Sequence, residues 1–163
     1  MTRTYVRLYN GYVATMGKQT TTPPLAATIV FAADEQGHGV AYVRLTLAHP
    51  EGNSRGRLLR IPFPVKRCPA LLEREIGYAA LTAVAARLHE RGVDRVRLSL
   101  EDGRVVEDLR ERRSVPQALS MAYVRLGCAL NQLREVAIEV DAGNDARDLT
   151  ARAKAEAALH VAA

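Results

Sequence analysis

The residues with the most evident chemistry in this chain are arginines in short clusters. Arg110, Arg112 and Arg113 stand together, and Arg55, Arg57, Arg60, Lys66 and Arg67 line another stretch. Guanidinium groups at this density bind phosphate oxygens, and such contacts give salt-dependent, weakly sequence-specific affinity for polynucleotides. Tyr9 and Tyr12 flank the Asn10-Gly11 dipeptide and offer rings on which a base can stack. Each feature also has an ordinary structural use. Acids alternate with the bases in LRERR, basic groups at a helix C-terminus compensate its dipole, and Asn-Gly favours a turn.

Spacing argues against several other chemistries. Cys68 and Cys128 form no CxxC and have no histidine partners in a recognisable frame, so neither a zinc site nor a disulfide framework is indicated. His38, His49, His89 and His160 fall in a turn, a loop, a helix end and a tail, none with a carboxylate at ligand spacing. Ser99, Ser114 and Ser120 lack a neighbouring base or a nucleophile-elbow glycine frame, and no P-loop or GxGxxG stretch is present.

The elements that must position these groups follow from composition and periodicity. A chain of 163 residues with 48% hydrophobic content can bury one sizeable core, so residues 1–163 are expected to form a single domain. A net charge of +5 and a pI near 9.6 suit a polyanionic partner such as nucleic acid. The start MTRTYVRLYN has no apolar signal region, and no run approaches the roughly 18 apolar residues of a membrane span. A soluble, cytoplasmic protein without membrane partners is the expectation.

Thr4 to Tyr9 alternates apolar and polar, Leu25 to Ala33 is a continuous apolar run, and Val40 to Leu47 alternates again beyond the turn DEQGHG, which predicts strands and a hairpin. Arg57 to Val65 is a proline-broken strand, which belongs at a sheet edge. Leu72, Ile76, Ala80, Val84 and Leu88 mark a helix ended by Gly92. Arg95 to Leu100 is a strand, and Asp102 can cap the helix that Ser114 and Pro116 stop. Pro116 to Leu133 is a helix, Glu135 to Val140 a strand, and Asn144 or Asp145 caps a last helix running towards Leu159. The order predicts an α/β fold: a mixed five-stranded sheet, three antiparallel strands plus two parallel, with helices on both faces. Ligands belong at the carboxyl ends of the parallel strands, expected after Tyr9, Leu100 and Val140.

That order and several motifs resemble the ribonuclease H-like family, in its small reverse-transcriptase-type branch. IGYAALTAVA, from Ile76 to Ala85, resembles the family's AEYxALxxGL on the first helix. LEDGRVVEDL, from Leu100 to Leu109, resembles GDSxxVVxxL, and GNDARDLTARA resembles the terminal NxxADxLA signature. The resemblance implies four carboxylates holding two Mg²⁺ or Mn²⁺ ions about 3.5 to 4 Å apart. It places them at Asn10, Gly77, Glu101 and Asp148. Asn10 supplies no charge and Gly77 supplies nothing, so only Glu101 and Asp148 remain as metal ligands. Glu73, one helical turn before Gly77, is the available substitute, displaced by about 5 to 6 Å. The implication is a domain with a degenerate catalytic centre and no resident cofactor, acting as a nucleic-acid-binding or assembly module. Arg110, Arg112, Arg113 and Tyr12 would contact an RNA/DNA hybrid or duplex. Two alternatives stand beside it: an active Mg²⁺-dependent ribonuclease H-type endonuclease, and a protein-interaction or homodimer scaffold.

Overall fold

A computed structural model describes residues 6–9, 24–47, 56–66, 72–111, 115–140 and 144–161, the first group in its backbone only. Strands β1 (Val6–Tyr9), β2 (Leu25–Ala33), β3 (His38–Thr46) and β4 (Gly56–Pro64) precede helix α1 (Leu72–Glu90). There follow β5 (Arg95–Leu100), α2 (Gly103–Glu111), a 3-10 turn (Gln117–Leu119) leading into α3 (Ser120–Asn131), β6 (Glu135–Val140) and α4 (Asn144–Val161).

The strands form one sheet in the order β1-β6-β5-β2-β3-β4. Five of them make the expected mixed sheet: β2, β3 and β4 run antiparallel, while β2, β5 and β6 are parallel to one another. Strand β1 is a sixth, added antiparallel to the outer edge of β6. The turn between β2 and β3 is closed by Asp34, whose Oδ1 accepts from the backbone amides of Gln36 and His38, each at 2.8 Å. Gly37 takes φ +91°, and a Cβ there would stand 2.6 Å from the Val65 carbonyl oxygen, so the turn requires glycine. Pro62 and Pro64 lack amide hydrogens, and β4 sits at the edge where that loss is harmless.

Alternation along the strands makes two faces. Ala27, Ile29, Ala41, Val43, Leu59, Ile61, Leu98 and Ile138 point to one face, covered by α1 through Leu81, Val84 and Leu88 and by α3 through Leu126 and Leu130. Gly92, at φ +72°, ends α1 with bonds from its own amide to His89 and from the Val93 amide to Leu88. On the opposite face α4 lays Ala146, Leu149 and Ala153 on Val30, Val40 and Tyr42. It is held there by Glu156, which accepts from the Tyr42 hydroxyl and from Arg60 Nε at 2.6 Å. The Arg152 guanidinium lies 4.9 Å from the Tyr42 ring centroid.

The place of β1 corrects one expectation. Tyr9 pairs with Glu135, the first residue of β6, so β1 ends at the opposite end of the strands from Leu100 and Val140. An alternating hexapeptide specifies a strand but not its neighbour, and the strand beside β5 is β2. Asn10 itself lies outside the described residues.

A polar lock joins α1 to α2. Asp108, 2% exposed, accepts from the Tyr78 hydroxyl at 2.8 Å and is ion-paired with Arg74. Burial and then the Asp108 carboxylate hold the Tyr78 hydroxyl far above its ordinary range, so it stays a donor at all working pH. Removing the carboxylate leaves Arg74 and the tyrosine hydroxyl without their partner. Asp108→Ala is therefore expected to cost about 3 kcal/mol and Tyr78→Phe about 1 kcal/mol, read from urea unfolding.

Candidate functional site

Leu100, the last residue of β5, pairs with Ile29, while β2 continues to Ala33. The overhang from Val30 to Ala33 becomes the floor of an open cleft of about 610 Å³ at the carboxyl end of the parallel strands. Phe31, Ala33 and Ile76 supply apolar wall, and Glu73, Glu101, Asp102, Arg104, Thr150 and Lys154 the polar part. The cleft is where a mixed sheet of this topology offers a ligand site. The strand that floors it, though, is the apolar β2.

Gly77 lies on α1 beside this floor. A Cβ at position 77 would stand 2.7 Å from Val105 Cγ2 and 3.5 Å from Phe31 Cζ. Valine is branched at Cβ and cannot swing aside as the tip of a long side chain would. A Cβ at 77 would meet occupied space, so close packing as well as residue type opposes a carboxylate at this position.

The charged groups of the cleft pair with one another. Asp102 caps α2, its Oδ1 accepting from the Arg104 amide at 2.9 Å, as the sequence predicts. The same carboxylate receives the Arg104 side chain, Nε to Oδ1 at 3.1 Å and Nη2 to Oδ2 at 3.2 Å. Arg104 Nη2 also donates to Glu73 Oε2 at 2.8 Å. Hydrogen bonds to Asp102 and then Glu73 push the Arg104 guanidinium above its already high value. Glu73 is thus ion-paired with a guanidinium, both side chains remaining largely exposed. Glu101 is exposed and meets the Thr150 hydroxyl at a long 3.4 Å; that hydroxyl also donates to the Ala146 carbonyl at 2.9 Å.

The structure brings Glu73, Glu101 and the neighbourhood of Gly77 together and leaves Asp148 apart. Ala146, Leu149 and Ala153 fix the phase of α4 on the sheet, and Thr150 and Lys154, one turn apart, line the cleft. Asp148 precedes Thr150 by two residues, about 200° around the helix, and is exposed on the far side. A lysine therefore stands at the cleft wall where a carboxylate was expected from α4. Arg110 is exposed on α2 and does not line the cleft, while Tyr12, Arg112 and Arg113 lie outside the described residues.

These groups do not fit a two-metal centre. Position 77 has no donor and no room for one, Glu73 is bound to Arg104, Asp148 faces away, and the adjoining strand offers Phe31 and Ala33. Among the described residues no group of three or more histidines, cysteines, aspartates or glutamates is placed to hold an ion. The residues that sequence reasoning missed are Phe31, Arg104, Thr150 and Lys154. For Arg104 the usable signal was its place two residues after a capping aspartate.

No protein-family model matches the chain, and no curated protein does so either. Among solved structures it is similar to RNase H1 from the halophilic archaeon Halobacterium salinarum NRC-1, with TM-score 0.51 and 19% identity over 72% of this chain and 84% of that one. It is also similar to LC11-RNase H1, solved in complex with an RNA/DNA hybrid, with TM-score 0.52 and 12% identity over 80% of this chain and 91% of that one. The fold is ribonuclease H-like. No helix among the described residues is long and apolar enough to cross a membrane.

The packing at Gly77 makes a prediction whose sign is opposite to helix propensity. Alanine in place of a mid-helix glycine ordinarily gains about 1 kcal/mol, whereas forcing a methyl group into an occupied space costs about 1 to 3 kcal/mol. Gly77→Ala is expected to lower stability by about 1 kcal/mol. In a Val105→Ala background the same substitution is expected to be neutral or stabilising, a coupling that a double-mutant cycle of denaturant midpoints measures.

Proposed function

We propose that this ribonuclease H-like domain is catalytically inactive and acts as a nucleic-acid-binding or assembly module that works without a divalent metal. The observation that carries the reading is the cleft itself. At the strand ends a two-metal nuclease needs four anionic oxygen ligands, because hard cations are held by carboxylates and two adjacent ions demand several of them. Here the floor is apolar, position 77 is closed by Val105 and Phe31, and the cleft carries two cationic side chains, Arg104 and Lys154. Lys154, at the wall of this partly apolar cleft, offers a charge to a phosphate backbone with a sugar or base beside it.

Each group then has a task. Lys154 on α4 supplies a point charge towards phosphate. Phe31 and Ile76 offer apolar surface to a sugar or base face. Arg110, exposed on α2, extends the positive surface, and the net charge of +5 steers a polyanion towards the domain. The likeness to LC11-RNase H1, a protein solved with an RNA/DNA hybrid, makes a double-stranded hybrid the first ligand to try. The active-nuclease alternative needs Glu101 and Asp148 on one cation, and the phase of α4 opposes it.

Fluorescence anisotropy with labelled RNA/DNA hybrid, duplex RNA and single strands, run in Mg²⁺ and in chelator, tests the reading. At about 50 mM salt, where phosphate contacts are strongest, the expected result is binding without cleavage, equal in both buffers and weakening as salt rises. Lys154→Ala is expected to weaken binding alike for all sequences and to reduce the salt slope by about one. Absence of binding at that salt would remove the proposal, and Mg²⁺-dependent cleavage abolished by Asp148→Ala would replace it with the nuclease.

A further inference from the structure

The misfit between this cleft and a two-metal centre has a positive side, because the cleft is not without a cation. One guanidinium spans its mouth. Arg104 Nη2 donates to Glu73 Oε2 at 2.8 Å, and Nε and Nη2 donate to the two oxygens of Asp102 at 3.1 and 3.2 Å. Glu73 belongs to the first turn of α1 and Asp102 to the turn between β5 and α2, so this one side chain ties the two segments together at the cleft. Gly77, on the following turn of α1, is packed against Val105 of the same α2 helix.

We infer that Arg104 is the resident cation of this cleft, standing between Glu73 and Asp102 in the role that a divalent ion would otherwise fill, and that it makes the strand-end arrangement independent of metal. The inference rests on the metal-free reading above and adds the agent that makes it possible. A divalent ion and a guanidinium share one structural task, the joining of carboxylates from separate elements. They differ in chemistry. A bound metal lowers the pKa of its water and so generates a nucleophile, whereas a guanidinium has no acceptor and no bound water to activate, and it stays protonated throughout the accessible pH range. It is part of the chain and cannot be removed by a chelator. A cleft with this cation keeps its shape and gives up hydrolysis. The pairing also offsets part of the negative charge of Glu73 and Asp102, which would otherwise repel a phosphate at the cleft more strongly.

The test follows from what removal of the guanidinium leaves behind. In Arg104→Ala, Glu73 and Asp102 are two carboxylates within reach of one small volume, with Glu101 in the same cleft, and oxygen-rich positions of that kind accept hydrated Mn²⁺. Thermal unfolding of the full chain, with no nucleic acid present, is to be followed in chelator and in millimolar Mn²⁺. The wild-type midpoint is expected to be the same in both. Arg104→Ala is expected to melt lower in chelator and to regain about 2 to 4 °C in Mn²⁺, and adding Glu73→Gln is expected to abolish the regain. Arg104→Gln, which keeps donors without the charge, carries the same expectation should the alanine variant fold poorly. An equal Mn²⁺ response in wild type, or none in either Arg104 variant, would overturn the inference. Because no polynucleotide enters this experiment, its failure would leave the anisotropy result standing, and the reverse holds as well.

Discussion

How closely helix α1 lies on α2 and the sheet is set at a single residue. A Cβ at Gly77 would stand 2.7 Å from Val105 Cγ2 and 3.5 Å from Phe31 Cζ, so the helix lies closer here than a side chain would allow. Neighbouring contacts depend on that closeness. Tyr78, the next residue, reaches Asp108 on α2 with a buried hydroxyl, and Arg74, one turn earlier, closes on the same carboxylate. Glu73 arrives over the mouth of the cleft at hydrogen-bonding distance from Arg104. A side chain at position 77 would lift the helix and strain these bonds together. The glycine that costs α1 some intrinsic propensity is offset by the packing it permits.

The same contact decides what chemistry the cleft can support. Ribonuclease H-like sheets present the ends of parallel strands as a site, and this chain keeps that geometry: β2 overhangs β5, α2 starts from an aspartate cap, and α4 crosses the far face with Thr150 and Lys154 at the opening. What has changed is the inventory. Apolar side chains floor the cleft, a glycine stands where the family resemblance implies an anionic ligand, and Glu73 and Asp102 at the mouth are paired with Arg104. Positive charge at the opening is supplied by Lys154, while Arg104 is paired with Glu73 and Asp102. Affinity for phosphate needs positive charge at the right place, whereas metal-dependent hydrolysis needs an activated water.

Much of the fold was legible in the sequence. Alternation in VAYVRLTL and RLLRIPFPV, the four-residue stripe from Leu72 to Leu88, and the cap at Asp102 each report a local preference that the tertiary structure keeps. Prolines 62 and 64 announced an edge strand, and β4 is one. Two matters were not legible. The first was the partner of β1: its alternation fits either side of a parallel pair, and only the assembled sheet sets it against β6, away from the cleft. The second was the phase of α4. A motif match aligns residues in sequence, but one helical position is about 100° of rotation, so Asp148 and Thr150 differ completely in what they face. Arg104 was one basic residue among 23 lysines and arginines, and its meaning comes from Glu73, a residue 31 positions away that only folding brings near.

The central claim is that packing, and not residue loss alone, has closed the metal centre at the strand ends. The most direct measurement is to restore a carboxylate where the family resemblance expects one, in Gly77→Glu, and to follow the unfolding midpoint together with Mg²⁺ binding by calorimetric titration. The account predicts a less stable protein with no gain in Mg²⁺ affinity, since Val105 and Phe31 hold the space that the side chain would need. A variant as stable as the parent that binds Mg²⁺ would contradict it.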